Sequence, residues 1–341
     1  MPQISVIVVN WNGKHFLDAC LSAMRRQTFQ DFETLLIDNG SEDGSVAYVR
    51  EHFPDVRLIQ LALNTGFSLG NIAGYAEARG EIIALLNNDT EADPQWLEEL
   101  AKACREFPEG VGSFASKMLY FDERNRIDNC GFGVTTAGYT VDLGRGELDG
   151  PVWSKPRRVF GACGGAAAYR RSMLEDVGFL DPDFFMTYED VDLSFQAQLR
   201  GYECMFVPGA IVYHRYRATM KKYWSQSRTA FFSQRNVEFV YLKNMPFEMI
   251  LRSLPQRLTY ELGSAAYFFK VGAGSAFLKG KIDAFRQIPI ILRKRKQIQS
   301  KKTLANSQLQ SVMESNWFWS KWTKLLSAWR APAIGVEAKR P

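Results

Sequence analysis

The sequence predicts an α/β fold in which a mostly parallel central sheet is flanked by helices and followed by a helical, basic C-terminal extension. Three observations predict it. Short, apolar, β-branched runs alternate with helix-period stretches through the first part of the chain, the pattern of parallel strands joined by crossover helices. Those runs are apolar on both faces, as strands covered on both sides must be. After Tyr216 the composition turns aromatic, basic and helical to about residue 330.

The elements come in this order. Ile4–Asn10 (ISVIVVN) has the length and β-branching of a buried strand. Phe16, Leu17, Cys20, Leu21 and Met24 then fall on one helical face. FETLLIDNG is a second strand closing in a polar turn, and Val56–Leu61 a third. A Gly-containing turn leads into a helix over Ser68–Arg79, and Ile82–Asp89 (IIALLNND) is a fourth strand. The next helix, in DPQWLEELAKACREF, is expected to take Asp93 as N-cap and Pro94 as its first residue. From about Asp122 to Arg158 the pattern weakens into a Gly-rich, polar loop or small irregular excursion. Order resumes with a helix over Asp190–Arg200 and short strands at Cys204–Val207 and Ile211–Tyr213. The composition divides the chain into residues 1–220 and a basic, helical 221–341.

With 341 residues, 46% of them hydrophobic, the chain can bury a large core, which excludes global disorder. Its five cysteines are scattered and form no Cys-x-x-Cys, so reduced thiols in a cytosolic protein are expected rather than a disulfide frame or a zinc site. The start, MPQISVIVVN, has no basic n-region, so no secretory signal is read. Charge is asymmetric: residues 1–200 hold 18 Lys/Arg against 30 Asp/Glu, residues 201–341 hold 24 against 7. A basic tail of this kind meets something anionic, either nucleic acid or a membrane leaflet. No window reaches the roughly 18 apolar residues of a spanning helix. Asn316–Arg330 sets Phe318, Trp322, Leu325 and Trp329 against Ser320, Lys324 and Ser327, which suits a helix lying in a membrane interface or one docked on the protein's own core. The nearby Arg293–Lys296 run and Lys301-Lys302 favour an anionic membrane surface.

In open α/β sheets ligands bind beyond the carboxyl ends of the strands, so the polar residues there are the candidates. Asp38 can accept hydrogen bonds from a base or ribose, or simply shape an Asp-Asn-Gly turn. Asp89, after Asn87 and Asn88, can ligate a hard divalent cation, Mg2+ or Mn2+, or cap the following turn. Asn64–Asn71 (NTGFSLGN) joins a strand to a helix whose N-terminus favours anions. Glu189, Asp190 and Asp192 crowd one helix start beside Phe184, Phe185 and Tyr188; mutual repulsion and desolvation would raise a carboxyl toward a useful general base, although acidic residues also simply favour a first helical turn. His214, one of three histidines, follows a short strand and could complete a metal site with Asp89.

Taken in order, VVNWNG, LLIDNGSEDGS, LNTGFSLGNIAG, LLNNDT, the AYRRS…VGFLDPDFFMTYEDVDL block and YH resemble the family 2 glycosyltransferases of GT-A fold, bacterial rhamnosyltransferases of surface-polysaccharide synthesis among them. The resemblance spans roughly residues 3–220 and implies an inverting transferase working with Mg2+ or Mn2+. By that resemblance Asn10, Asn12 and Asp38 hold the nucleoside. Asn64, Gly70 and Asn71 line the ribose and diphosphate, with Asn87 and Asn88 beside the donor. Asp89 and His214 hold the metal, with Asn87 standing where the family's Asp-x-Asp motif has its first Asp. Asp190 is the base, with Glu189 as runner-up. The tail lacks the Gln-x-x-Arg-Trp signature of processive synthases, so transfer of a single sugar is expected. The implied donor is dTDP-L-rhamnose, with UDP- or GDP-sugars as alternatives, and the implied acceptor is a polyprenyl-diphosphate-linked or other saccharide. The implied location is cytoplasmic, peripheral on the inner face of the cytoplasmic membrane, with no nucleic-acid partner. A nucleotidylyltransferase is a weaker reading, since its Gly-rich basic loop is missing; a non-catalytic carbohydrate binder would leave the ordered carboxylates unexplained.

Overall fold

The computed structural model describes residues 1–215 and 225–314. Four parallel strands form its first half: β1 (Ile4–Asn10), β2 (Phe32–Asn39), β3 (Arg57–Leu61) and β4 (Ile82–Asn87), ordered β4-β1-β2-β3. Helices α1 (Lys14–Arg25), α2 (Ser45–His52) and α3 (Gly66–Glu77) make the crossovers between them. The two-residue period of a strand divides these side chains between the two faces. Val6, Val8 and Leu36 enter one buried cluster with Leu17, Leu21 and Trp96, whereas Ile7, Leu35 and Leu85 enter another with Met173, Leu193 and Phe206.

The sheet continues past β4 with mixed pairing. β11 (Ala166–Arg170) runs antiparallel to both β4 and β6 (Val111–Tyr120), and β12 (Glu203–His214) runs parallel to β6. β5 (Thr90–Ala92), β7 (Ile127–Asn129) and β10 (Arg157–Val159) add to this end, while β8 (Phe132–Val134) and β9 (Thr140–Asp142) pair apart. The Asp122–Arg158 stretch, expected to be a loop or a small irregular excursion, carries several strands of three residues each. The two short strands expected at Cys204–Val207 and Ile211–Tyr213 are one strand, irregular in register between Val207 and Ile211. Asp93 is not the cap of α4 (Trp96–Glu106). The helix begins later, with Gln95 at its N-cap position and no side-chain cap, and the Asp93 carboxylate instead accepts the Gln95 N–H at 3.0 Å within the preceding turn. The five cysteines are free thiols.

The C-terminal helices α7 (Gln226–Asn244), α8 (Phe247–Lys270), α9 (Gly274–Arg286), α10 (Ile288–Ser300) and α11 (Asn306–Ser311) follow α5 (Arg171–Val177) and α6 (Glu189–Leu199). A third apolar cluster unites Phe160, Phe184 and Phe195 with Phe239, Met249 and Ile291. Buried charges reinforce the junction: Lys243 Nζ donates to Asp181 at 2.5 Å and Asp192 at 2.6 Å, and Asn244 Nδ2 donates to the other Asp192 oxygen at 2.6 Å. Part of the basic run turns inward as well, for Lys294 pairs with Asp181 and Asp183, and Arg295 donates to the carbonyls of Leu242 and Met245. Among the described residues no helix is long and apolar enough to cross a membrane. Asn316–Arg330 lies outside the described residues.

Candidate active site

At the carboxyl end of β1 the carboxamide of Asn10, fully buried, ties three loops together. Its Nδ2 donates to Asp38 (3.3 Å) and to Ser41 Oγ (3.2 Å), and its Oδ1 accepts from Asn88 Nδ2 at 2.7 Å. Asn12, left-handed at φ 50°, accepts the Glu42 N–H at 2.8 Å and donates its own N–H to Ser41 Oγ at 2.9 Å. Asp38 also accepts the Ser41 N–H at 3.1 Å, so Asn10, Asn12, Asp38 and Asn88 form one hydrogen-bonded group. Ser41 joins both asparagines, although no pattern in the sequence marks it.

The loop after β3 is held separately. Asn39 Nδ2 donates to Gly66 O (2.9 Å), its Oδ1 accepts the Thr65 N–H (2.9 Å), and Asn64 caps the Gly66 N–H at 2.9 Å. Gly66 has φ 87°, and a Cβ there would lie 2.2 Å from Phe185 O, so only glycine permits this approach of α3 to the acidic loop. Gly70 and Asn71 stand apart from the polar group. Gly70 lets α3 sit against Val9, where a Cβ would meet the side chain at 2.9 Å, and the Asn71 amide bonds back to Phe67 O.

Asp89 and His214 are brought together by strand pairing. Thr90 of β5 stands opposite His214 of β12, which places His214 Nε2 3.4 Å from Asp89 Oδ1. The other ring nitrogen, Nδ1, lies 2.6 Å from Asp128, a buried residue of β7 that carries no local signal in the sequence. Arg145 stands 3.7 Å from the second Asp128 oxygen. Burial alone would lower the His214 pKa, but hydrogen bonds to Asp128 and Asp89, with their negative charges, outweigh it and hold the imidazole at about 9. A carboxylate on the far ring nitrogen, as Asp128 is on Nδ1, is how proteins orient a metal-binding histidine, and a cation on Nε2 would displace the proton that faces Asp89. Cis ligands of an octahedral Mg2+ at about 2.1 Å stand roughly 3 Å apart, close to the observed spacing. Asp89 and His214 therefore fit a hard divalent cation. No group of three or more His, Cys, Asp or Glu side chains suited to a metal is present among the described residues, so a cation here would take its other ligands from elsewhere, such as a bound diphosphate or water.

The acidic turn meets the same strand end through the Gly164-Gly165 loop. Gly165 O accepts the Asn87 N–H at 2.9 Å, and the Gly164 N–H donates to Asp190 Oδ2 at 2.9 Å. Asp190 Oδ1 accepts from Val191 N–H at 2.8 Å. Burial raises the Asp190 pKa, these two N–H donors pull it back, and the net shift is upward. Glu189 is buried, with Oε2 lacking a hydrogen-bond partner; desolvation first, and then the charge of Asp190, raise its pKa well above the usual carboxylate range. Asp192 faces away toward Lys243 and Asn244. The turn feeding this helix is strained: Thr187 and Tyr188 take φ of 64° and 70°. Asn236 of α7, fully buried, donates to Met186 O at 2.7 Å and Thr187 O at 2.8 Å, clamping that turn.

The model of the family described as Glycosyl transferase family 2 matches residues 5–178. The uncharacterized protein y4gI of Sinorhizobium fredii is 30% identical over 230 residues, 64% of this chain but 25% of that protein. The N-acetylglucosaminyl-diphospho-decaprenol L-rhamnosyltransferase of Mycobacterium tuberculosis is 26% identical over 240 residues, 62% of this chain and 75% of that enzyme. The chain thus spans a quarter of the first relative and three quarters of the second. Among solved structures, S. aureus TarS 1-349 in complex with UDP-GlcNAc superposes with a TM-score of 0.53 at 16% identity, over 88% of this chain and 89% of that one. The mannosyltransferase PcManGT from Pyrobaculum calidifontis, in complex with GDP-Man and Mn2+, gives 0.50 at 15% identity, over 83% and 87%. These likenesses show the GT-A fold.

Proposed function

The chain belongs to glycosyl transferase family 2 and is a glycosyltransferase, and from that premise we propose an inverting, non-processive enzyme that moves L-rhamnose from dTDP-L-rhamnose to a lipid-linked or saccharide acceptor in cell-surface polysaccharide synthesis. The observation that carries the reading is the joint: Asp190 and the Asn87–Asp89 strand end are held together through two adjacent glycines. A group that accepts a proton and a group that holds the departing diphosphate need just this proximity.

Within this proposal the Asn10, Asn12, Asp38 and Asn88 group, with Asn64, Gly70, Asn71 and Asn87 around it, shapes the donor side. Asp89 and His214 would hold Mg2+ or Mn2+, and Asp128 keeps the imidazole turned toward Asp89. The cation, when bound, neutralises charge on the leaving diphosphate. Asp190 is the base: it keeps partial exposure, whereas Glu189 is buried and reaches no open surface. Asp190 takes the acceptor hydroxyl proton as that oxygen attacks the anomeric carbon from the face opposite the leaving group. A nucleoside diphosphate departs and the configuration inverts.

The named activity of the mycobacterial relative supports both rhamnose and a polyprenyl-diphosphate-linked acceptor. Such an acceptor would set the enzyme at the inner face of the cytoplasmic membrane, with residues 1–220 carrying the chemistry, Asn236 bracing the turn before Asp190 and the basic region 221–341 meeting the anionic surface. The test is a panel of dTDP-, UDP- and GDP-sugars with Mn2+ and a short-chain polyprenyl-diphosphate acceptor. Transfer from dTDP-L-rhamnose at least tenfold above any other donor is the expected outcome. Transfer from a UDP- or GDP-sugar alone overturns the donor assignment, and nucleotidyl transfer overturns the whole reading.

A further inference from the structure

On α8, Phe247, Leu251, Leu254, Leu258 and Leu262 recur every three or four residues and so share one helical face. All are exposed, Leu262 by 74%, while Met249, Ser253, Arg257 and Ser264 bury the other side. On α9, which packs against α8, Leu278, Ile282 and Phe285 repeat the spacing, again exposed. Single exposed apolar residues are ordinary in a soluble protein, but two consecutive helices with continuous exposed stripes mark an interaction surface.

Charge selects the partner. Between residues 247 and 296 the exposed charged side chains are six Lys or Arg against one acid, Glu248, and that acid is paired with Arg252 at 2.5 Å. Lys279, Arg286, Arg293 and Lys296 are exposed cations with no other exposed acid in this stretch to oppose them. A second copy docked face to face would set like charges against each other, the reverse of what helix pairs use to choose partners. An anionic lipid leaflet accepts both the apolar stripe and the cations.

We propose that the exposed face of α8 and α9, with the outward cations of α9 and α10, is a docking surface for an anionic lipid bilayer. The helices lie in the interface, since none among the described residues is long and apolar enough to cross. The proposal extends the reading of a lipid-linked acceptor, yet its test measures vesicle binding alone, so either can fail without the other. The 341-residue chain is sedimented with phosphatidylglycerol/phosphatidylcholine vesicles and with pure phosphatidylcholine vesicles. Wild type is expected to bind the anionic vesicles at least tenfold more tightly, and Leu254→Glu with Leu258→Glu to lose at least tenfold of that binding. Lys279→Gln is expected to lose roughly fivefold, the equivalent of one interfacial cation. All three positions are exposed, and soluble-acceptor transfer should be unchanged, which separates lost docking from lost folding. Unchanged sedimentation of the double variant overturns the proposal. So does a wild-type dimer that the double variant dissolves while vesicle binding stays absent, or binding that vanishes only when residues 315–341 are removed.

Discussion

Asn236→Ala tests how the C-terminal helices control the turn that leads into Glu189 and Asp190. The wild-type amide donates to two carbonyls, Met186 O at 2.7 Å and Thr187 O at 2.8 Å, and accepts from Arg235 Nε at 2.8 Å. Each hydrogen bond lost at a buried polar partner costs about 1 kcal/mol net, so the variant should lose about 2–3 kcal/mol of stability. The two left-handed residues it restrains each carry roughly 1–2 kcal/mol of strain. Without the clamp that strain relaxes into a shift of Glu189 and Asp190, the first residues of α6. A misplacement of about 1 Å at reacting groups can cost on the order of 100-fold in rate, so kcat should fall between tenfold and 100-fold with donor affinity retained. Urea unfolding gives the stability, and steady-state transfer with donor titration gives the split. Thr187→Gly added to Asn236→Ala should recover about 1 kcal/mol, because glycine adopts positive φ freely and removes a buried hydroxyl that has no hydrogen-bond partner. A variant as stable and as active as wild type would refute the clamp, and one that loses stability with kcat intact would refute its link to Asp190.

Other perturbations have equally definite outcomes. Asp128→Asn should weaken Mn2+ affinity, read by calorimetry in the presence of a nucleoside diphosphate, by roughly 10–100-fold while the fold stays intact; unchanged affinity removes Asp128 from the metal side of the site. Glu189 has a raised pKa in the folded protein, so the native state holds a proton that the unfolded chain gives up, and wild-type stability falls as pH rises above about 4.5. Glu189→Gln should flatten that decline and gain more stability at pH 7 than at pH 4; an equal effect at both contradicts the buried, protonated Glu189. Asp181 behaves oppositely: burial raises its pKa, but Lys243 and Lys294 overcome that and depress it to about 2. Its contribution of about 2 kcal/mol is complete above the unfolded value near 3.8 and is lost as pH falls toward 2. The stability gap between wild type and Asp181→Asn should therefore shrink from pH 5 to pH 3, and a gap independent of pH would contradict the pairing.

The first half of the fold could be read in the sequence because its strands are apolar runs, three of which, β1, β2 and β4, end in polar residues that announce the mouth of the sheet. Ile4–Asn10 is legible in this way, and Asp38 and Asp89 stand out as polar residues at the ends of such runs, whereas Asn10 enters only through the family resemblance. β11, AAAYR, has too little β-branching to stand out, and its place between β4 and β6 is fixed by pairing on both edges. Asp128 sits in a strand of three residues, and its partner His214 lies 86 positions away. No local pattern encodes that meeting, since it depends on β7 pairing with β6 and β6 with β12. The three carboxylates of the Glu-Asp-Val-Asp turn looked alike in sequence. Only the partners Gly164, Lys243 and Asn244, contributed from elsewhere in the chain, separate an accessible Asp190 from a buried Glu189 and a charge-neutralised Asp192.

The most direct test of the central claim is the anomeric configuration and rate of sugar transfer in wild type and Asp190→Asn, followed by NMR of the product with donor affinity measured in parallel. The expected result is a product inverted relative to the donor, with a rate in the variant lower by about 10²–10⁴-fold and donor affinity unchanged. A product of retained configuration, or a variant that turns over near the wild-type rate, would contradict a single displacement driven by Asp190.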